Sequence, residues 1–176
     1  MGCFESIDVP AVVYHMTDRK NLSAILSDGK IDSKEDFMTF FFPSLESIPV
    51  YIAATGADAG RLYYGADGRV HQAPPLNHAE TVVLKLVPRY NNGDWFVEST
   101  LAGVQNVSNP TARALREQLC RLMDAARVCH YGPMRFKRDP EIIELTEIDA
   151  MPEPKEVEEI RQAQARFNSL PEQDKL

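Results

Sequence analysis

Apolar and polar positions along the chain follow two periods. Ala11 to Tyr14 form a short apolar run after Pro10 and predict a strand over residues 10–16. Leu22, Ile25 and Leu26 then lie on one helical stripe, with Asp18 or Thr17 as cap and Gly29 as stop. The stretch 32–48 is irregular but carries "FMTFFFPSL", and four phenylalanines in six positions imply a loop packed over the core or lining a pocket. "PVYIAAT", 49–55, reads as a second strand. Gly56 and Asp58 open a short helix carrying Ala59, Leu62 and Tyr63, and "GADG", 65–68, reads as a turn. "TVVLKLVP", 81–88, is the clearest strand pattern in the chain. "NNGD", 91–94, predicts a tight turn before a strand in "WFVES". Asn109–Pro110 starts the longest helix, in which Leu115, Leu119, Leu122 and Ala126 recur at spacings of 4, 3 and 4. "MRFKR" and "EIIELTEI" read as strands or one bulged strand. Pro152 and Pro154 mark a linker, and 155–168 a polar helix with a thin stripe of Val157, Ile160 and Ala163 or Gln164.

Strands and helices follow one another without strict βαβ alternation, which predicts an α+β domain with mixed or antiparallel sheets. At 176 residues the chain suits a single domain. The expected division is a flexible N-terminus over 1–9, one domain over 10–150, and a C-terminal polar helix and tail over 151–176.

Charge alters this outline in one place. The net charge is −7, yet 109–138 holds seven Arg or Lys against Glu117 and Asp124, while from Asp139 onward eleven acids face four bases. The basic stretch is either a helix face balanced by the acidic tail or a positive surface beside a phosphate-bearing ligand. An acidic chain argues against strong nonspecific binding to duplex nucleic acid. Cysteines at 3, 120 and 129 form no disulfide framework and no metal knuckle, and the histidines at 15, 71, 78 and 130 are scattered, so no metal site is expected. No run approaches the roughly 18 apolar residues of a membrane span. The first twenty residues lack the basic, apolar character of a secretory leader. These features predict a soluble, monomeric protein of the reducing cytoplasm. The opening M-G-C-F-E-S fits the N-myristoylation pattern, with Cys3 placed for palmitoylation, so membrane association would depend on lipidation of Gly2.

Three segments carry candidate chemistry: "YHMT" at 14–17, "PVYIAATGADAGRLYYG" at 49–65 and "DPEIIEL" at 139–145. Each alone has an ordinary structural explanation: a satisfied histidine at a strand end, a core tyrosine, a solvated glutamate on an edge. Neither G-x-G-x-x-G nor G-x-x-x-x-G-K-[ST] occurs.

Together the segments resemble the His–Tyr–Glu signature of the diphtheria-toxin and poly(ADP-ribose) polymerase branch of ADP-ribosyltransferases. His15–Met16–Thr17 matches a strand ending in His-x-Ser/Thr, "PVYIAA" supplies Tyr51, and "PEIIEL" supplies Glu141. The "YH-x-T…NL-x-x-IL-x-x-G" run is also similar to DNA-modifying, DarT-like toxins of toxin–antitoxin systems. Met16 replaces the usual Gly, the second tyrosine, Tyr63 or Tyr64, comes one or two residues late, and 30–50 contains no Arg.

The resemblance implies an ADP-ribosyltransferase-like α+β fold: split mixed or antiparallel β-sheets with flanking helices. It implies NAD as co-substrate and transfer of ADP-ribose to a protein or nucleic acid acceptor, with release of nicotinamide, as in a toxin or effector. Glu141, His15 and Tyr51 would be catalytic. His15, Thr17, Tyr51, Tyr63 and Tyr64 would bind NAD, the histidine at a ribose hydroxyl, the threonine at the carboxamide and the tyrosines around the nicotinamide ring. The chemistry suits these residue types, because cleavage of the nicotinamide–ribose bond passes through an oxocarbenium-like state that a carboxylate stabilises. Two other readings remain: an RNA 2′-phosphotransferase-like NAD enzyme, and a non-catalytic nucleotide-binding or interaction module of the same fold.

Overall fold

The computed structural model describes residues 3–33, 38–64, 67–89 and 94–176, without the side chains of Tyr63 and Tyr64. The turns expected at 65–68 and 91–94 fall partly outside the described residues.

The chain is α+β, with antiparallel sheets and flanking helices. Its strands are β1 (Cys3–Ile7), β2 (Val13–Asp18), β3 (Lys30–Ile31), β4 (Met38–Phe41), β5 (Leu62–Tyr64), β6 (Val70–Gln72), β7 (Thr81–Leu86), β8 (Trp95–Ser99), β9 (Val128–Tyr131), β10 (Met134–Arg135) and β11 (Glu141–Glu144). Its α-helices are α1 (Leu22–Asp28), α2 (Ser47–Thr55), α3 (Pro110–Ala125), α4 (Leu145–Asp149) and α5 (Lys155–Asn168). One sheet has the order β1-β8-β9-β4 and another β11-β7-β2, while β3 with β10 and β5 with β6 form small ribbons. Among the described residues every strand pairing is antiparallel. The two larger sheets meet at a bridge between Tyr14 and Phe42, which exchange backbone hydrogen bonds of 2.9 and 2.8 Å.

β7 holds the centre of its sheet because both of its faces are covered. Val82, Leu84 and Leu86 pack with Val13, Phe41 and Trp95, while Val83 packs on the other side with Ile48, Ile52 and Leu145. A strand buried on both faces reads as a continuous apolar run, which is the pattern of "TVVLKL". α3 begins as its sequence dictates: the Asn109 side chain accepts hydrogen bonds from the amides of Thr111 and Ala112, and Pro110 occupies the first turn.

Several expectations are corrected. "PVYIAAT" is helical, within α2, and not a strand. Pro49 falls in the first turn, where its missing N–H has no intrahelical partner to lose. Ile48 and Ile52 face one apolar cluster and Val50, Ala53 and Ala54 another, so the helix is apolar nearly all round and shows no helical stripe. The helix expected after Gly56 is a single 3-10 turn at Ala57–Ala59, after which Leu62 and Tyr63 enter strand β5. "EIIELTEI" divides into β11 and α4. Within the 1–9 segment expected to be flexible, Cys3–Ile7 pairs with β8 along its whole length. The C-terminal helix α5 buries Val157, Ile160 and Ala163 against α2 and α3.

Candidate functional site

β2 sorts its side chains by simple alternation. Tyr14 and Met16 turn toward α2 and α4 and join the cluster around Phe42, Ile48 and Val83. Val13, His15 and Thr17 take the other face, where Val13 is sealed in the core. His15 and Thr17, further along, border an open groove of about 940 Å³. The His15 ring lies 5.5 Å from that of Phe41, and its Nδ1 is 3.4 Å from the Phe40 carbonyl oxygen. The Thr17 hydroxyl accepts a 3.3 Å hydrogen bond from the Asn21 side chain, one helical turn later.

The opposite wall comes from the four-stranded sheet. Phe4, Thr39, Phe40 and Glu98 line it. Phe40 and Phe4 keep exposed aromatic surface there. Arg61 closes one side, and its Nη1 donates to the Tyr51 hydroxyl at 3.2 Å. Tyr51 packs edge-on against Phe42 at 5.2 Å. It therefore stands behind Arg61, on α2, and does not line the groove.

Glu141 is not brought to the groove. It pairs across β7 with Lys85, 3.8 Å away, and its side chain is 66% exposed. Residues directly opposed in an antiparallel sheet share a face. The register therefore places Glu141 in the row of Lys85 and Tyr14, on the face away from His15. Glu144 occupies the row of Val82 and Thr17 instead. Its carboxylate is clasped by the Arg19 guanidinium, through Nη1 to Oε1 at 2.9 Å and Nη2 to Oε2. That hydrogen bonding holds the Glu144 carboxyl below its ordinary pKa and raises that of Arg19. Tyr63 faces His71 across the β5–β6 ribbon, and Tyr64 faces Val70. Their side chains lie outside the described set.

Phe40, Arg61 and Glu98 border the groove without having been singled out in the sequence. Phe40 is one of four clustered phenylalanines, and a pocket-lining role for that cluster is the one signal that anticipated it. Glu98 follows the alternation of "WFVES" and carries no motif.

Other titratable groups are committed elsewhere. His130 is buried beside Trp95, with Nδ1 3.0 Å from the Gly132 carbonyl, and burial lowers its pKa. Burial also pushes the Cys129 thiol up to about 11. In the basic stretch, Arg113 donates to the Val107 carbonyl, Arg116 to that of Lys175, and Arg127 pairs with Glu98. A smaller hollow of about 390 Å³ lies among α2, α4 and α5, where Arg161 is paired with Glu153 and His78 with Asp58 and Asp149. Among the described residues no grouping of three or more His, Cys, Asp or Glu could hold a metal ion, and no helix is long and apolar enough to cross a membrane.

No family model and no curated protein matches the sequence. Two solved structures of DarT from Thermus sp. 2.9, one in complex with carba-NAD+ and one with NAD+, are similar in structure. Each is 14% identical and 94% covered, as is this chain, at TM-scores of 0.36 and 0.37. At TM-scores below 0.5 the likeness assigns no role to any residue of this chain.

Proposed function

We propose that the protein is an NAD-dependent ADP-ribosyltransferase that binds NAD+ in the groove beside β2 and transfers ADP-ribose to a macromolecular acceptor, releasing nicotinamide. The observation that carries this reading is the shared placement of His15 and Thr17 on one face of β2, both opening into a groove of about 940 Å³. That volume is near the upper end of ligand sites, which run from about 300 to 1,000 Å³. The His15 ring offers a hydrogen bond to a ribose hydroxyl, and the Thr17 hydroxyl one to the carboxamide. The exposed part of Phe40 offers a stacking surface for a flat ring. Arg61, steadied by Tyr51, supplies a cation for a phosphate.

The test is calorimetric titration with NAD+ alongside chromatographic detection of nicotinamide. Saturable binding with nicotinamide release supports the transferase. The distance of Glu141 from the groove favours a second reading, a nucleotide-binding module without catalysis. That reading predicts saturable binding with no release. Absence of binding overturns both.

A further inference from the structure

The hollow among α2, α4 and α5 shares no lining residue with the groove. Its volume of about 390 Å³ falls within the range of small-molecule sites, about 300 to 1,000 Å³. Ile52, Ile148 and Val157 line it and are buried, while Met151 keeps apolar surface exposed beside them. Both flanks are braced. His78 ties Asp58, in the turn after α2, to Asp149 at the end of α4. Arg161 of α5 clasps Glu153 through two hydrogen bonds of 2.8 and 2.6 Å, which pins the link between α4 and α5. The fold itself holds the hollow open, so filling it costs little ordering.

The polar groups of the hollow select one chemistry. Three lining side chains carry N–H donors, and each is already directed at an acceptor: His78 at the two aspartates, Arg161 at Glu153 and Glu158, and Gln164 at the Ala53 carbonyl. Acceptors are in surplus. Four carboxylates, Glu46, Asp58, Asp149 and Glu153, border the hollow against two groups that can be positive, His78 and Arg161. An imidazole donates from both nitrogens only as the imidazolium. Even in that form, two negative charges stay unmatched. Among the described residues no cation pairs with Glu46. The apolar walls concentrate the field of these charges within the hollow.

We propose that this hollow binds a small organic cation, an apolar or aromatic body carrying an ammonium group, at a site separate from the groove and independent of the NAD reading. The body lies against Ile52, Ile148 and Val157, and the ammonium donates to the surplus carboxylates at the rim. A ligand of the same shape that carries a carboxylate or phosphate meets those groups as like charges and is rejected.

Methyl-detected NMR titration of the whole chain at low ionic strength tests this with three probes: phenethylamine, phenylpropionate and methylammonium. Phenethylamine should shift the methyl resonances of Ile52, Ile148 and Met151 saturably and leave that of Ile25, beside the groove, in place. Phenylpropionate keeps the ring and reverses the charge, and should bind roughly tenfold more weakly. Methylammonium keeps the charge and lacks the ring, and should also bind at least about tenfold more weakly. Glu46→Lys alters an exposed residue outside both braces and should weaken phenethylamine roughly threefold, the size of an exposed ion pair, at an unchanged melting temperature. The absence of a saturable shift overturns the site, as do shifts centred on Ile25. Equal binding of phenylpropionate, or full affinity in Glu46→Lys, overturns the choice of a cation. The three probes are compared on the wild-type chain, so the outcome does not depend on the folding of the variant.

Discussion

His15 is oriented by the protein before any ligand arrives. The Phe40 carbonyl and the Phe41 ring, both on β4, hold its imidazole from the side. His15→Ala should therefore weaken NAD+ binding by roughly tenfold, equivalent to about 1.4 kcal/mol. The melting temperature should change little, because the side chain is only half buried on the groove wall. Titration and thermal melts of the same preparation check this, and a large drop in melting temperature with unchanged affinity would make His15 a core residue. At this scale the sequence was informative where period two was clean: His-x-Thr on a strand must share a face, and His15 and Thr17 do. It was uninformative about Glu141 against Glu144. Their faces depend on the pairing of β11 with β7, a register that no local pattern in "EIIE" encodes.

Elements whose burial is one-sided or complete were readable, and those serving two clusters were not. α3 and β7 declared themselves through a cap, a stripe and an apolar run. α2 touches two clusters at once, so its apolar positions follow no stripe and match a short buried strand equally well. The link after α2 depends on a single residue. Gly60 has φ +81°, and a Cβ there would stand 2.4 Å from the Ala73 carbonyl oxygen. Gly60→Ala should cost about 1–3 kcal/mol of backbone strain and displace the adjacent Arg61. Chemical denaturation should show the loss of stability, and titration a parallel loss of NAD+ affinity. A different linkage joins the turn before β7 to α4. His78 lies between Asp58 and Asp149, with Nε2 at 2.5 Å and Nδ1 at 2.7 Å from their oxygens. Burial lowers the His78 pKa, but the hydrogen bonds and charges of the two aspartates outweigh it, and the net value is raised above 6.5. Stability from this bridge is full below the ordinary histidine value and is lost as pH climbs through the raised one. Melting temperature should fall across that interval, and His78→Gln should flatten the fall.

Over the whole molecule, α5 is part of the packing. Ile160 is fully buried among Val50, Ala126 and Leu122, the last two from the end of α3 and the residue after it. Ile160→Ala should cost about 2–5 kcal/mol, measured as a shift of the denaturation midpoint. A tail docked weakly would give almost no shift. The apolar stripe of α5 was visible in the sequence, but its receiving surface was not, since that surface is made by α2 and α3 together.

The Tyr14–Phe42 bridge ties the two large sheets through a pair of backbone hydrogen bonds, and the groove opens beside it, with one wall on each sheet. The molecule thus has the build of a book whose spine is this bridge, backed by the core that Val13 and Leu84 share with Phe41 and Trp95. A ligand held between the pages would oppose their parting, so its binding energy would be felt at the spine as well as in the groove. The amides of Tyr14 and Phe42 become natural reporters: their hydrogen–deuterium exchange should slow when the groove is filled, although neither amide touches the ligand.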